Sequence, residues 1–114
     1  MKYIAIMYSK EPGYQEDEWM ALADSENVAK QSIFDGFNVH LMKQFEIKLN
    51  REHSSKIATI EFLEKELIDY YKEVLGGDLT LDTLESKFPI HILDVEKEEC
   101  YRNGNKVPRK AHQY

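Results

Sequence analysis

Two short segments near the start of the chain are rich in β-forming and apolar side chains. Residues 2–8 and residues 19–23 are apolar at both odd and even positions, and Pro12-Gly13 lies between them. Pro presets φ for a turn and Gly accepts the positive φ that follows, so we expect a β-hairpin with two apolar faces. One layer of helices covers one face of a sheet. The other face requires a second copy of the protein or the C-terminal segment of the same chain.

The segment after the hairpin predicts a helix and then a strand. Asp24-Ser25 provides an N-cap, and the helix is expected to run from Glu26 to about Gly36. Residues 39–49 alternate between apolar and polar side chains, which is typical of a strand with one buried face. The apolar positions of that predicted strand are Val39, Leu41, Phe45, Ile47 and Leu49.

The strongest periodic pattern predicts a long helix that begins at Ser54 or Ser55 and ends at Gly76-Gly77. Its expected core positions are spaced three and four residues apart: Ile60, Leu63, Leu67, Tyr70 and Val74. A short helix through residues 81–84, capped by Thr80 and stopped before Pro89, comes next. A strand is predicted for residues 90–95.

These elements predict an α+β fold in the order ββαβααβ. We expect a largely antiparallel sheet of four or five strands with helices packed on one face. The length of 114 residues suits one domain, residues 1–100. Residues 101–114 are expected to form a basic tail, or a hairpin around Asn103-Gly104, which is a strong turn signal.

Charge is unevenly distributed along the chain, whose net charge is −6. The interval from Glu11 to Glu26 contains six acidic residues and no basic one: Glu11, Glu16, Asp17, Glu18, Asp24 and Glu26. This region is either a solvated loop or a docking surface for a basic partner. Calcium is disfavoured because no twelve-residue loop with alternating oxygen ligands fits. The tail has the opposite charge, with Arg102, Lys106, Arg109 and Lys110 and no acid.

The sequence contains no pattern that indicates catalysis or a cofactor. Cys100 is the single cysteine, which excludes an internal disulfide and a zinc site built from cysteines alone. The four histidines form no zinc-binding motif, and no nucleophile motif occurs. We therefore expect no enzymatic activity, no cofactor and no metal. The N-terminus lacks a signal-peptide profile and no apolar run is long enough to span a membrane, so we expect a cytoplasmic protein.

Three further residues are candidates for partner binding: Tyr14, within the acidic interval, and Phe62 and Glu66 on the long helix. Tyr14 follows the Pro-Gly turn, and Phe62 is placed on the polar side of the long helix near Glu66. Exposed aromatic residues of this kind often anchor protein interfaces. Glu64 lies inside the apolar arc of the same helix, where it would suit a hydrogen bond to a tyrosine or an ion pair across a dimer.

The function expected from these features is binding of a protein partner without catalysis. A sharper version is an inhibitor that presents Glu16, Asp17 and Glu18 to a basic surface of a nucleic-acid-handling protein. One alternative is nucleic-acid binding through the basic tail, which the acidic body opposes. Another is a small enzyme or ligand-binding domain with a dimer-cleft site around Glu64 and His91.

Overall fold

The computed structural model describes residues 2–10, 15–53 and 57–96, and within these it has three strands and three α-helices. The strands are β1 (Tyr3–Ser9), β2 (Asp17–Ala23) and β3 (Ile90–Asp94). The helices are α1 (Glu26–Glu52), α2 (Ile60–Tyr70) and α3 (Leu81–Lys87). A π-helical segment, Tyr71–Leu75, directly follows α2.

The sheet has the strand order β2-β1-β3, and both neighbours of β1 run antiparallel to it. Met7 lies opposite Trp19 on one side and opposite Ile90 on the other. The predicted α+β class, the antiparallel hairpin and the final strand are therefore confirmed. The described residues contain neither a fourth nor a fifth strand. Their elements follow the order β1, β2, α1, α2, the π-helical segment, α3 and β3, so the predicted order ββαβααβ is wrong.

The two faces of this sheet differ in exposure. Side chains alternate along a strand and direct cross-strand partners share a face, so Ala5, Met7 and Trp19 lie on one side. Ala5 and Met7 are fully buried, whereas Met20 and Leu22 on the other side are 55% and 50% exposed. One face of the hairpin is thus buried, and the expected cover of the other face leaves Met20 and Leu22 about half exposed.

The strand predicted for residues 39–49 is wrong, because these residues continue α1, which runs unbroken to Glu52. Leu41, Phe45 and Leu49 are four residues apart, so they satisfy both an alternating pattern and one side of a helix. Leu41 is buried and Phe45 and Leu49 are half-buried, while Val39 and Ile47 of the same parity are exposed. Gly36, the predicted stop, lies inside the helix.

Side-chain caps fix where the helices begin. Ser25 Oγ accepts a hydrogen bond from the Val28 backbone N–H at 3.2 Å, which confirms the predicted start of α1. Thr80 caps α3 in the same way through the Thr83 N–H. Helix α2 begins at Ile60 with Thr59 as its cap, so the predicted start at Ser54 or Ser55 is wrong. Those serines lie outside the described residues.

The π-helical segment changes which side chains of the α2 region are buried. Leu63, Leu67, Tyr71 and Leu75 form the buried row at intervals of four residues. An α-helix has 3.6 residues per turn, so side chains spaced four residues apart drift steadily around its axis. The wider turn of a π-helix shifts them in the opposite direction and cancels part of that drift. As a result Val74, a predicted core position, is 44% exposed. Ile60, also a predicted core position, is 69% exposed at the first residue of α2, before the π segment. Gly76, in the left-handed region with φ 78°, ends the segment as predicted.

Tyr71 is the centre of an aromatic cluster between α1 and the π-helical segment. Its ring is fully buried, and its hydroxyl donates a hydrogen bond to Asn38 Oδ1 at 2.5 Å. Phe34 meets Tyr71 edge to face, with ring centroids 6.2 Å apart. Two more aromatic pairs, Phe45–Tyr70 and Phe37–Phe88, have ring centroids at similar distances. Such contacts hold α1 against α2, the π-helical segment and the residue that follows α3.

The chain divides into two compact units. One comprises the described parts of Met1–Ile33 and Ile90–Tyr114 and contains the sheet; the other, Phe34–Pro89, contains the helical cluster. Helix α1 begins in the first unit and ends in the second. In the part of the chain that the structure describes, no helix is long and apolar enough to cross a membrane.

Replacing Gly36 by Ala is expected to stabilise the protein. Gly36 is helical, and a Cβ atom there would meet no atom within 4 Å. Ala in a helix interior is favoured over Gly by about 0.5–1 kcal/mol. Chemical denaturation followed by circular dichroism measures the change. Gly76→Ala is the matched control and should destabilise, because the positive φ of Gly76 strains any other residue. Destabilisation by Gly36→Ala would contradict a continuous α1.

Tyr71→Phe is expected to destabilise the protein near neutral pH and less so in alkali. Removing the bond to Asn38 costs about 1 kcal/mol. Burial raises the pKa of Tyr71 above its ordinary value of 10. Above about pH 10 the unfolded chain loses this proton while the folded chain keeps it, so wild-type stability falls as pH rises. Phe lacks that proton, and the difference in unfolding free energy between the two proteins should shrink towards pH 11. A difference independent of pH would contradict this account.

Candidate protein-binding surface

Three consecutive carboxylates mark the start of β2. Glu16 precedes the strand and Asp17 and Glu18 are its first residues, and all three are exposed. We call these three residues the acidic end. It lies on the first unit, beside the last residues of β1, because Asp17 pairs with Ser9 and Glu18 with Tyr8. The predicted exposure of these carboxylates is therefore confirmed.

Tyr8 lies beside the acidic end on β1, and the carboxylates there raise its pKa. A hydrogen bond to Glu18 raises the pKa of the Tyr8 hydroxyl, and the negative charges of Glu18 and Glu16 raise it further. The phenol donates to the carboxylate, so losing its proton would place two negative charges side by side. Tyr8 is neutral near pH 7 as any tyrosine is, the raised pKa keeps it neutral to higher pH, and its ring is exposed next to the carboxylates.

An apolar surface continues from the acidic end across the sheet. The face that carries Glu18 also carries Met20 and Leu22 on β2 and Tyr8 and Ile6 on β1. Tyr8, Met20 and Leu22 are exposed by 43%, 55% and 50%, and Ile6 is half-buried. We call this side of the sheet the open face. Its other members are Ile4 on β1, which is buried, and His91 and Leu93 on β3.

Trp19 fixes the orientation of β2 from the opposite side. Its indole N–H donates a hydrogen bond of 2.9 Å to Ser9 Oγ, and Ser9 is only 5% exposed. A buried hydroxyl without a partner is costly, so this pair opposes a shift of β2 by one residue. Such a shift would exchange the two faces of the strand. Glu18 and Met20 are thereby kept on the open face.

The other predicted partner-binding residues lie outside the described residues or outside the unit that carries the acidic end. Tyr14 lies outside the described residues. Phe62 is 38% exposed at the start of α2, where its backbone N–H donates to the capping Thr59, and Glu66 on the same helix is half-buried. Phe62 and Glu66 belong to the second unit and the acidic end to the first. Their role in binding stays a prediction.

The residues of the alternative functions lie in different parts of the chain. Glu64 and His91 are both exposed, Glu64 in the helical unit and His91 in the unit with the sheet, and the dimer-cleft site stays a prediction. The basic residues Arg102, Lys106, Arg109 and Lys110 lie outside the described residues. Within residues 2–10, 15–53 and 57–96, no group of three or more His, Cys, Asp or Glu side chains is arranged to hold a metal ion.

Sequence reasoning did not identify Tyr8, Met20 and Leu22 as surface residues. The available signal was the apolar character of both hairpin faces, which shows that one face needs a cover. It does not show which face, because the burial of each face depends on the rest of the fold. The carboxylate Glu18 is the one local indication, since it shares a parity with Met20 and Leu22.

Replacing Glu18 by Gln is expected to lower the pKa of Tyr8 towards its ordinary value of 10. The substitution removes the negative charge that the phenol faces and weakens the hydrogen bond to it. Titration of the Tyr8 ring carbon by NMR measures the change. Asp17→Asn is the matched control, since it removes one charge from the adjacent position on the other face of β2. Equal shifts in the two variants would show that Tyr8 senses only the total charge.

Comparison with known proteins identifies no relative of this chain. No protein-family model matches it, no curated protein matches it, and no solved structure matches it significantly. The residues of the acidic end and the open face therefore take no role from a relative. Their function is inferred from exposure, charge and position in the sheet.

Proposed function

We propose that this protein is a non-enzymatic modulator that binds a basic surface of a protein partner through its acidic end. The observation that carries the proposal is the position of Glu16, Asp17 and Glu18, which are all exposed at one end of the sheet, with Glu18 on the open face and Asp17 on the other face of β2. Charge supplies attraction and the apolar side chains supply contact area. A basic surface that normally binds nucleic-acid phosphates has this chemistry, so inhibition of a nucleic-acid-handling protein is the sharper form of the proposal.

The charge of the acidic end favours fast and selective association. No Lys or Arg lies between Glu11 and Glu26, so the carboxylates have no basic neighbours along the chain. Clustered charge of one sign steers an oppositely charged partner during approach and repels partners of the same sign. Exposed charges more than about 10 Å apart are largely screened at 0.1 M salt. Binding that depends on the acidic end must therefore weaken as salt rises.

The neighbouring side chains suit an interface that must also exclude water. Tyr8 offers a neutral aromatic ring, a residue type that frequently contributes most to binding energy at interfaces. Met20 lies two residues from Glu18 on the same face, and its flexible thioether adapts to irregular partner surfaces. An ion pair at the edge of such an apolar contact is better shielded from solvent than an isolated surface pair.

The double charge reversal Glu16→Lys with Asp17→Lys is expected to weaken partner binding about tenfold. Each reversal replaces an attraction by a repulsion, and exposed pairs contribute about 0.2–1 kcal/mol each, so two reversals sum to about 1.4 kcal/mol. The immobilised protein is incubated with nuclease-treated lysate at low and high salt. Captured proteins are then quantified by mass spectrometry, and the affinity of any purified candidate is measured directly.

Glu46→Lys with Glu73→Lys is the matched control, since it makes the same charge change at exposed positions of the helical unit. The proposal expects basic proteins that are captured by wild type and by the control, but lost with the double reversal and at high salt. Capture that is equal for all three proteins would remove the acidic end from the function. Capture that occurs only in a parallel lysate without nuclease treatment would favour nucleic-acid binding instead.

A further inference from the structure

We propose that the basic tail, residues 101–114, binds the open face of its own sheet. The tail would cover Met20 and Leu22 with its apolar side chains and place its cations beside the acidic end. Tyr8, Met20 and Leu22 on this face are exposed by 43%, 55% and 50%, while Ile4 is buried, and contiguous exposed apolar side chains often mark a binding surface. Three observations favour the tail as the occupant over a second copy of the protein.

The first observation is the size of the face. Three strands about 4.8 Å apart and a longest strand of seven residues give a surface of about 14 Å by 23 Å, or roughly 300 Å². A stable interface between two proteins buries about 800 Å² on each partner. The open face alone therefore supports only a transient contact with another folded protein, whether that is a second copy or the proposed basic partner. It matches the width of a single helix or of one extended segment.

The second observation is where the described chain leaves the sheet. Asp94, the last residue of β3, lies opposite Tyr3, and the Val95 N–H donates to the Lys2 carbonyl at 2.8 Å. The chain therefore departs from the end of the sheet opposite to Tyr8 and Glu18. The distance along β1 between these ends is about 17 Å. Val95 and Glu96 are helical, and beyond them an extended interval from Glu96 to Lys106 would span up to roughly 33 Å, enough to reach the acidic end.

The third observation is complementarity of charge and hydropathy. The tail carries Arg102, Lys106, Arg109 and Lys110 and no acidic residue, opposite in sign to the acidic end. Apolar and aromatic side chains are interspersed among these cations: Tyr101, Val107, Ala111 and Tyr114. One segment thus offers both the cations that Glu16 and Glu18 attract and the apolar surface that Met20 and Leu22 require.

This contact has a consequence for regulation, which rests on the proposed function. The tail and a basic partner would use the same carboxylates, so the tail would act as an internal competitor. A partner must then displace the tail, which lowers its apparent affinity by the fraction of molecules whose acidic end is occupied. Only partners with a stronger basic surface than the tail would bind.

A nitroxide label near the end of the tail tests the contact in the full-length chain without any partner. Because Cys100 is the single cysteine, Cys100→Ser with Gln113→Cys provides one labelling position and keeps all four cations of the tail. The expected result is loss of the amide NMR signals of Tyr8, Glu18 and Met20 in the oxidised sample and recovery after reduction of the label. Retention of these signals would overturn the proposal.

Charge reversal separates specific docking from chance approach. Adding Glu16→Lys with Glu18→Lys to the labelled chain should restore the signals, whereas adding Glu46→Lys with Glu73→Lys should not. Equal signal loss in both variants would overturn the role of the acidic end. A second copy is the other possible occupant of the open face. It is tested by mixing nitroxide-labelled chain without isotopes with isotope-enriched chain that carries no nitroxide. Signal loss in that mixture requires contact between two copies and would overturn binding of the tail to its own sheet.

These outcomes are independent of the proposed function. The label reports on the tail with no partner present, whereas capture from lysate reports on partners whatever the tail does. Loss of partner binding in the acidic variant together with a tail that stays away from the sheet would refute the inference alone. A tail that contacts the sheet, together with partner binding that the acidic variant leaves unchanged, would refute the proposed function alone.

Discussion

The pairing of β1 with a strand on each side is the constraint on which the rest of the first unit depends. As the central strand, β1 has its backbone hydrogen bonds satisfied on both edges, and its register places Met7 and Ala5 on the buried side. The bond between Trp19 and Ser9 holds β2 in the same register. Because side chains alternate, these buried residues oblige Tyr8, Met20 and Leu22 to occupy the opposite face.

The open face explains why an acidic protein carries so much apolar surface on its first two strands. Hydrophobic burial stabilises a sheet only on the side that is covered, so an exposed side must serve another purpose or await another segment. Its position next to Glu16, Asp17 and Glu18 gives it a definite chemistry. Both a basic partner and the basic tail fit that chemistry, and their competition would make the surface responsive to the partner's charge.

The helical unit depends on a local irregularity that the sequence pattern does not reveal. A regular α-helix from Ile60 onward would rotate Leu75 away from the line of Leu63 and Leu67. The π-helical segment retains Tyr71 and Leu75 in that line, and Tyr71 then reaches Asn38 on α1. Each of the apolar residues Ile60 and Val74 is left exposed, although the three-and-four spacing placed both in the core.

Local sequence patterns were sufficient to predict the α+β class, the hairpin and the strand at Ile90. They also predicted the helix caps at Ser25 and Thr80 and the helix end at Gly76. Turn residues and capping side chains act within a few positions, so their effect can be read from the sequence alone. Residues 39–49 were misread because Leu41, Phe45 and Leu49 fit a period of two as well as a helical turn. Only the tertiary structure decided between them, by burying one row along α1. The tertiary structure also decided which face of the hairpin is exposed, because a face is buried only when another part of the fold packs against it.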